Sequence, residues 1–181
     1  MVANLTRGIY IVTGIMASGK STIAQLLAKK ANYSVHVRGD EFRRVIVSGR
    51  AEITMTPNEE ANKQLLLRYK LAAQVAESYF AAGFTTIVQD NFLGKETNYF
   101  IDCFSLSPVY MITLCPSAQT VLTREASRGK TGYIHWDVQS LYEILINENP
   151  RIGLWIDSSN QTPEETVDEI LARYETEARI L

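Results

Sequence analysis

Residues 14–21 read Gly-Ile-Met-Ala-Ser-Gly-Lys-Ser, the pattern GxxxxGK[ST]. The run directly before it, Ile9 to Thr13, is apolar and β-branched, which predicts a buried strand. The run after it, Lys20 to Ala31, sets Ile23, Leu26 and Leu27 on one face and predicts an amphipathic helix. The pattern alone arises by chance in below about one per cent of chains of this length. Between a strand and a helix it narrows the possible folds to those that turn a strand into a helix through a glycine-rich loop. Such a loop curls its N–H groups around phosphate oxygens, and the helix start adds its dipole. Gly14 and Gly19 permit the curl, with Ala17 and Ser18 between them and Thr22 just beyond. Lys20 is the residue expected to reach the β- and γ-phosphates of ATP, and Ser21 the one to hold Mg²⁺.

The rest of the chain alternates strand and helix signals. Strands are predicted at Val35 to Arg38, Thr85 to Gln89, Val109 to Leu114 and Gly153 to Ile156. Helices are predicted at Asp40 to Ser48, about Glu59 to Ala82, Thr97 to Phe104, Ser117 to Arg128 and Trp136 to Asn147. A last helix opens on the capping box Thr162-Pro163-Glu164-Glu165 and carries Val167, Ile170, Leu171 and Tyr174 on one side. The segment from Arg50 to Asn58, with Pro57, reads as a loop. Strands separated by helices predict an α/β fold: a five-stranded parallel sheet with helices on both faces, three layers in all, forming one domain over residues 1–181. Ligands bind such sheets beyond the carboxyl ends of the strands. That rim carries the Gly14 loop, Asp40, Asp90 and the segment after Ile156.

Three groups on the rim bear on chemistry. Asp40 follows the second strand, where a carboxylate can take the proton of an acceptor hydroxyl; capping its own helix is the structural alternative. Arg43 and Arg44 lie three and four residues on, placed to bind an anionic substrate or the migrating group. Asp90 and Asn91 end the third strand, where they could hold Mg²⁺ through water, bind acceptor hydroxyls or simply form a turn. Arg124 and Arg128 are four apart, followed by Gly129 and Gly132, which suggests a cationic lid over about 124–136. An exposed basic helix end is the alternative there. His135 has no assigned role, and Cys103 and Cys115 fit no metal spacing and read as buried small apolar residues.

Net charge is −2, which disfavours bulk electrostatic binding of nucleic acid. No apolar run is long enough to cross a membrane, and Met1 to Gly8 lacks the order of a signal peptide, so a cytoplasmic protein is expected. No Asn-Lys-x-Asp occurs, which disfavours a GTPase.

Together these motifs resemble the small P-loop kinases that include chloramphenicol phosphotransferase, gluconate kinase and the 5′-kinase domain of phage polynucleotide kinase. The nearest local likeness is to the last, through Gly14 to Ser21, Asp40 with Arg43, Asp90 followed by Leu93, and Arg124 with Arg128. The resemblance implies Asp40 as general base, Arg43 on the acceptor side, and lid arginines on the donor phosphates. It also implies that Asp157 to Gln161 lies near adenine. The phage enzyme carries a phosphatase domain besides its kinase domain, whereas a single P-loop domain is expected over residues 1–181, and residues 49–68 match none of these substrate pockets. The expectation is an ATP- and Mg²⁺-dependent kinase, monomeric or loosely dimeric, acting on a small hydroxylated molecule such as a sugar, nucleoside or antibiotic. A polynucleotide or nucleoside 5′-kinase and a regulatory ATPase that transfers nothing are the competing readings.

Overall fold

The computed structural model describes residues 5–54, 56, 58–127, 129, 133 and 136–181. Within them the order is β1 (Ile9–Thr13), α1 (Lys20–Ala28), β2 (Ser34–Arg38), α2 (Glu41–Arg44), α3 (Glu59–Ala81), β3 (Thr85–Gln89), α4 (Glu96–Asp102), β4 (Val109–Leu114), α5 (Ala118–Ala126), α6 (Val138–Asn147), β5 (Leu154–Ile156) and α7 (Pro163–Arg173). A short π-helix, Tyr174–Ala178, extends α7 and had no sequence signal. The strands pair in parallel in the order β2-β3-β1-β4-β5, so β1 lies at the centre and its loop at the middle of the rim.

Alternation along the buried strands divides the core into two layers. Tyr10 and Val12 join Ile23, Leu27, Val167 and Ile170 on the face covered by α1 and α7. Ile9 and Ile11 join Tyr69, Ala72, Ala76 and Phe100 on the face covered by α3 and α4. The three-layer α/β/α expectation therefore holds. A third cluster, Ile15, Val121, Val138, Leu141 and Leu145, packs α5 and α6 beneath the glycine-rich loop.

The differences from expectation lie at helix ends. The helix expected at residues 40–48 is a single turn, Glu41–Arg44. Phe42 is the residue of this stretch packed against the core, whereas Val45 and Val47 are 71% and 98% exposed. Without a buried stripe a short helix does not persist. Helix α6 starts at Val138, two residues late, because the Asp137 carboxylate caps it by accepting from the Ser140 N–H at 2.8 Å. Cys103 and Cys115 are half-buried free thiols, and burial pushes both up from the usual range. None of the described helices is long and apolar enough to cross a membrane.

The loop after β3 is fixed by buried hydrogen bonds. Thr13 Oγ1 donates to the Phe92 carbonyl at 3.1 Å and accepts from the Phe92 N–H at 2.9 Å. Asn149 Oδ1 accepts from the Gly94 N–H at 2.7 Å, while its Nδ2 donates to the Phe92 carbonyl at 3.0 Å. These bonds tie the end of β3 to β1, setting Asp90 and Asn91 beside the glycine-rich loop.

Candidate active site

The loop between β1 and α1 takes positive φ at Gly14, Ala17 and Gly19. At Gly14 (φ 145°) a Cβ would stand 2.5 Å from the Leu114 carbonyl oxygen and 2.6 Å from Ser18 Oγ, so only glycine fits. Buried Ser18 Oγ has no hydrogen-bond partner among the described residues. Lys20 folds inward, its Nζ donating to the Ile15 carbonyl at 2.7 Å. Ser21 Oγ donates to Gln89 Oε1 at 3.4 Å, which joins α1 to the end of β3. Loop curvature, an inward lysine and a hydroxyl at the helix start fit a triphosphate with its Mg²⁺.

A cleft of about 730 Å³ opens from this loop. Ala17, Gly19, Lys20, Ser21, Thr22, Asp40, Arg43, Arg44, Asp90, Asn91 and Arg124 all line it, so the structure brings together most of the residues singled out in the sequence. Gly14 and Ser18 form the base of the loop beneath them. Arg128 and His135 lie outside the described residues, as do residues 130–132 and 134 of the expected lid. Of that segment, the Tyr133 hydroxyl donates to the Met16 carbonyl at 2.6 Å.

Arg124 spans two loops. Its Nη1 donates to the Ser18 carbonyl at 3.2 Å and its Nη2 to the Ser158 carbonyl at 2.7 Å. This brings the Asp157 to Gln161 turn against the phosphate loop. Across the cleft, Asp40 stands at the start of α2 but caps nothing with its side chain. Its carboxylate instead pairs with Arg44 at 2.8 Å, in an exposed contact. Arg43 turns away to pair with Glu52. Residues 49–54 form a strap beside Arg43 and Arg68, with Ala51 and Ile53 lining a small cavity against them. The strap is held by Gln64, which accepts from the Ala51 N–H at 2.9 Å and donates to the Gly49 carbonyl at 2.8 Å. Its far end accepts a 3.1 Å bond from Trp136 Nε1 at the Ile53 carbonyl.

Asp90 is bound by a residue that was not singled out in the sequence. Arg68 on α3 donates from Nε to Asp90 Oδ2 at 2.6 Å and from Nη2 to Oδ1, with side chains only 11% and 3% exposed. Burial disfavours the Arg68 charge, but the neighbouring Asp90 outweighs it and holds the guanidinium above its ordinary range. Gly39 lies against the same carboxylate, and a Cβ there would collide with it. Both Asp90 oxygens are thus engaged by Arg68, and Ser21 and Gln89 present further oxygens beside the phosphate loop. Among the described residues no three His, Cys, Asp or Glu side chains converge as a metal site. The missed signal was positional: Arg68 stands beside the buried stripe Ala61, Tyr69, Ala72, Ala76 of α3, where a solvated arginine does not belong.

Comparison with known proteins agrees with this geometry. A family model described as AAA domain matches residues 9–141. No curated protein matches the chain. Similar solved structures include a sugar kinase from Janibacter sp. HTCC2649, at 18% identity and TM-score 0.70, covering 92% of this chain and 94% of that one. A gluconokinase from Sinorhizobium meliloti 1021 is 21% identical with TM-score 0.65, covering 92% of both chains. The tunicamycin resistance protein of Deinococcus radiodurans is 16% identical with TM-score 0.66, covering 97% of this chain and 99% of that one. The chain belongs to the AAA_33 family of AAA domains, built on the P-loop kinase fold.

Proposed function

We propose that the protein transfers the γ-phosphoryl group of ATP to a hydroxyl of a small molecule. The observation that carries this reading is Asp40: an uncapped, accessible carboxylate lining the same cleft as Lys20 and Ser21. A protein that only bound or hydrolysed the nucleotide would have no use for an acceptor wall of Asp40, Arg43, Arg44 and Asn91 opposite the phosphate loop.

The steps follow from the residues. The phosphate loop holds the β- and γ-phosphates by its N–H groups, with Lys20 exchanging the Ile15 carbonyl for a phosphate oxygen. Ser21, with Asp90 through water, would hold Mg²⁺, which would supply further positive charge to these oxygens. The acceptor oxygen attacks the γ-phosphorus, and the bond to the β-γ bridging oxygen breaks, leaving ADP. Asp40 accepts the hydroxyl proton. Arg124, already bridging the Ser18 and Ser158 carbonyls, balances charge on the donor side. Arg128 is assigned the same role from its place four residues further on. Arg43 and Arg44 lie on the acceptor side, as does Asn91.

Asp40→Asn tests the assignment. Transfer should fall by roughly 10²–10⁴, the range general base catalysis supplies. ADP affinity, measured by calorimetry, should stay within about threefold, because the phosphate loop is untouched. Unchanged turnover in this variant refutes Asp40 as the base.

A further inference from the structure

Arg68 has a feature that its pairing with Asp90 does not use. The guanidinium presents five N–H donors in a planar fork. Nε and Nη2 serve the Asp90 carboxylate, and Nη1 has no partner among the described residues. Asp90 is in turn fixed, its Oδ1 also accepting the Asn91 N–H at 2.7 Å. The paired edge therefore sets the plane of the guanidinium and leaves the other edge turned to the cleft without a protein partner among the described residues. The side chain is nine-tenths buried yet lines the cleft on the Asp40 side. Nη1 is open to the cleft, so a ligand oxygen can accept from it without displacing a protein partner. A second observation narrows the ligand. No aromatic ring lines the cleft among the described residues. Nucleobases and other aromatic groups are held chiefly by stacking, and this wall offers none. It offers planar hydrogen-bonding groups: Arg68, Asp40 and Asn91.

We infer that Arg68 is an acceptor-binding residue, oriented by Asp90, that donates from Nη1 to an oxygen of an aliphatic polyhydroxylated acceptor. This rests on the phosphotransfer reading above and names the acceptor class for the same site. Asp90 acts through Arg68 and is a positioning residue.

The full chain with Mg²⁺-ATP is assayed for ADP release against two sets of acceptors. One set is D-gluconate, D-ribose and D-glucitol; the other is thymidine, chloramphenicol and a 5′-hydroxyl oligonucleotide. Release stimulated by the first set and not the second is the expected result. Release stimulated only by the second overturns the inference and leaves phosphotransfer standing. Release stimulated by neither set, with ADP still bound, refutes phosphotransfer and the inference with it. Arg68→Lys is then compared on the best polyol. The lysine keeps the charge beside Asp90 but loses the fork, so KM should rise about ten- to a hundredfold with kcat within about threefold. The melting temperature and ADP affinity should hold. Unchanged KM, or a loss seen in melting temperature alone, overturns the inference. Arg68→Gln, which can still donate to Asp90, is the second variant and must give the same split of KM against kcat.

Discussion

The Arg68–Asp90 pair makes a demand on stability that can be measured without any ligand. Arg68→Met removes the cation while keeping most of the side-chain volume beside Tyr69 and Leu65. Asp90, 3% exposed, is left with the Asn91 N–H as its remaining hydrogen bond. Breaking a buried ion pair from one side costs about 3–5 kcal/mol, because the surviving charge is neither solvated nor paired. With a urea slope of roughly 2 kcal/mol per molar, the unfolding midpoint should fall by about 1.5–2.5 M. Adding Asp90→Asn removes the charge and leaves an under-bonded amide, which costs only about 1–3 kcal/mol. The double variant should thus regain roughly 1 M of the lost midpoint. Arg43→Met is the control. It breaks the pair with Glu52, which is open to solvent, and should cost no more than about 1 kcal/mol. Urea titrations followed by far-ultraviolet circular dichroism measure all three. If Arg68→Met is no worse than Arg43→Met, or if Asp90→Asn deepens the loss, the pair is not a buried electrostatic unit and the reasoning fails.

Two further outcomes follow from other parts of the fold. In the capping box of α7, Thr162 Oγ1 accepts from the Glu165 N–H at 3.2 Å; Thr162→Ala should cost about 1 kcal/mol. That is a drop of about 2–4 °C in melting temperature for a chain of this size, with ADP affinity unchanged; an unshifted melting curve would show that the cap contributes nothing. His36 on edge strand β2 is pushed down to about 4 by burial and by the charge of Arg38, with Asp40 opposing. The folded chain therefore binds fewer protons than the unfolded chain between about pH 6.5 and 4, so stability should fall with pH through that window and level off below it. His36→Asn should flatten this acid limb, and parallel melting curves for variant and parent from pH 7.5 to 4.5 would refute the cause.

The five strands could be read from the sequence to within a residue: β1, β3 and β4 are short runs buried along their whole length, and the edge strand β2 shows itself by the alternation of Val35 and Val37 with polar residues. Helix ends were less legible, for two reasons. Residues 40–48 have helical spacing, but spacing does not reveal that Val45 and Val47 meet no partner. The cap of α6, Asp137, sets a starting point that hydrophobic period alone could not. The residues of the cleft were legible because the rim of a parallel sheet collects the residues that follow its strands. Their partners were not. That Arg44 rather than Arg43 pairs with Asp40 depends on Glu52, nine residues from Arg43, on a strap with no periodic signal. Arg68 lies 22 residues from Asp90 and is joined to it only when α3 packs against β3.

The pairing pattern also separates two carboxylates that the sequence treats alike. Asp40 and Asp90 both follow a strand on the acceptor side, and either could be offered as the proton acceptor. Their partners differ in what it takes to release them. Asp40 and Arg44 form an exposed pair, 42% and 63% accessible, and such pairs contribute about 0–1 kcal/mol. A hydroxyl can displace Arg44 from Asp40 with little loss. Asp90 is held by two bonds from a buried guanidinium and one from a peptide N–H, and freeing an oxygen there would strand the arginine. A group that must exchange partners in every turnover has to sit in the weak pair. A group that must hold another in place has to sit in the strong one. This division of labour supports Asp40 as the base and Asp90 as the anchor of Arg68. Gly39 belongs to the same arrangement: a Cβ there would run into the Asp90 carboxylate, so the glycine beside Asp40 is what leaves Asp90 room to hold the arginine.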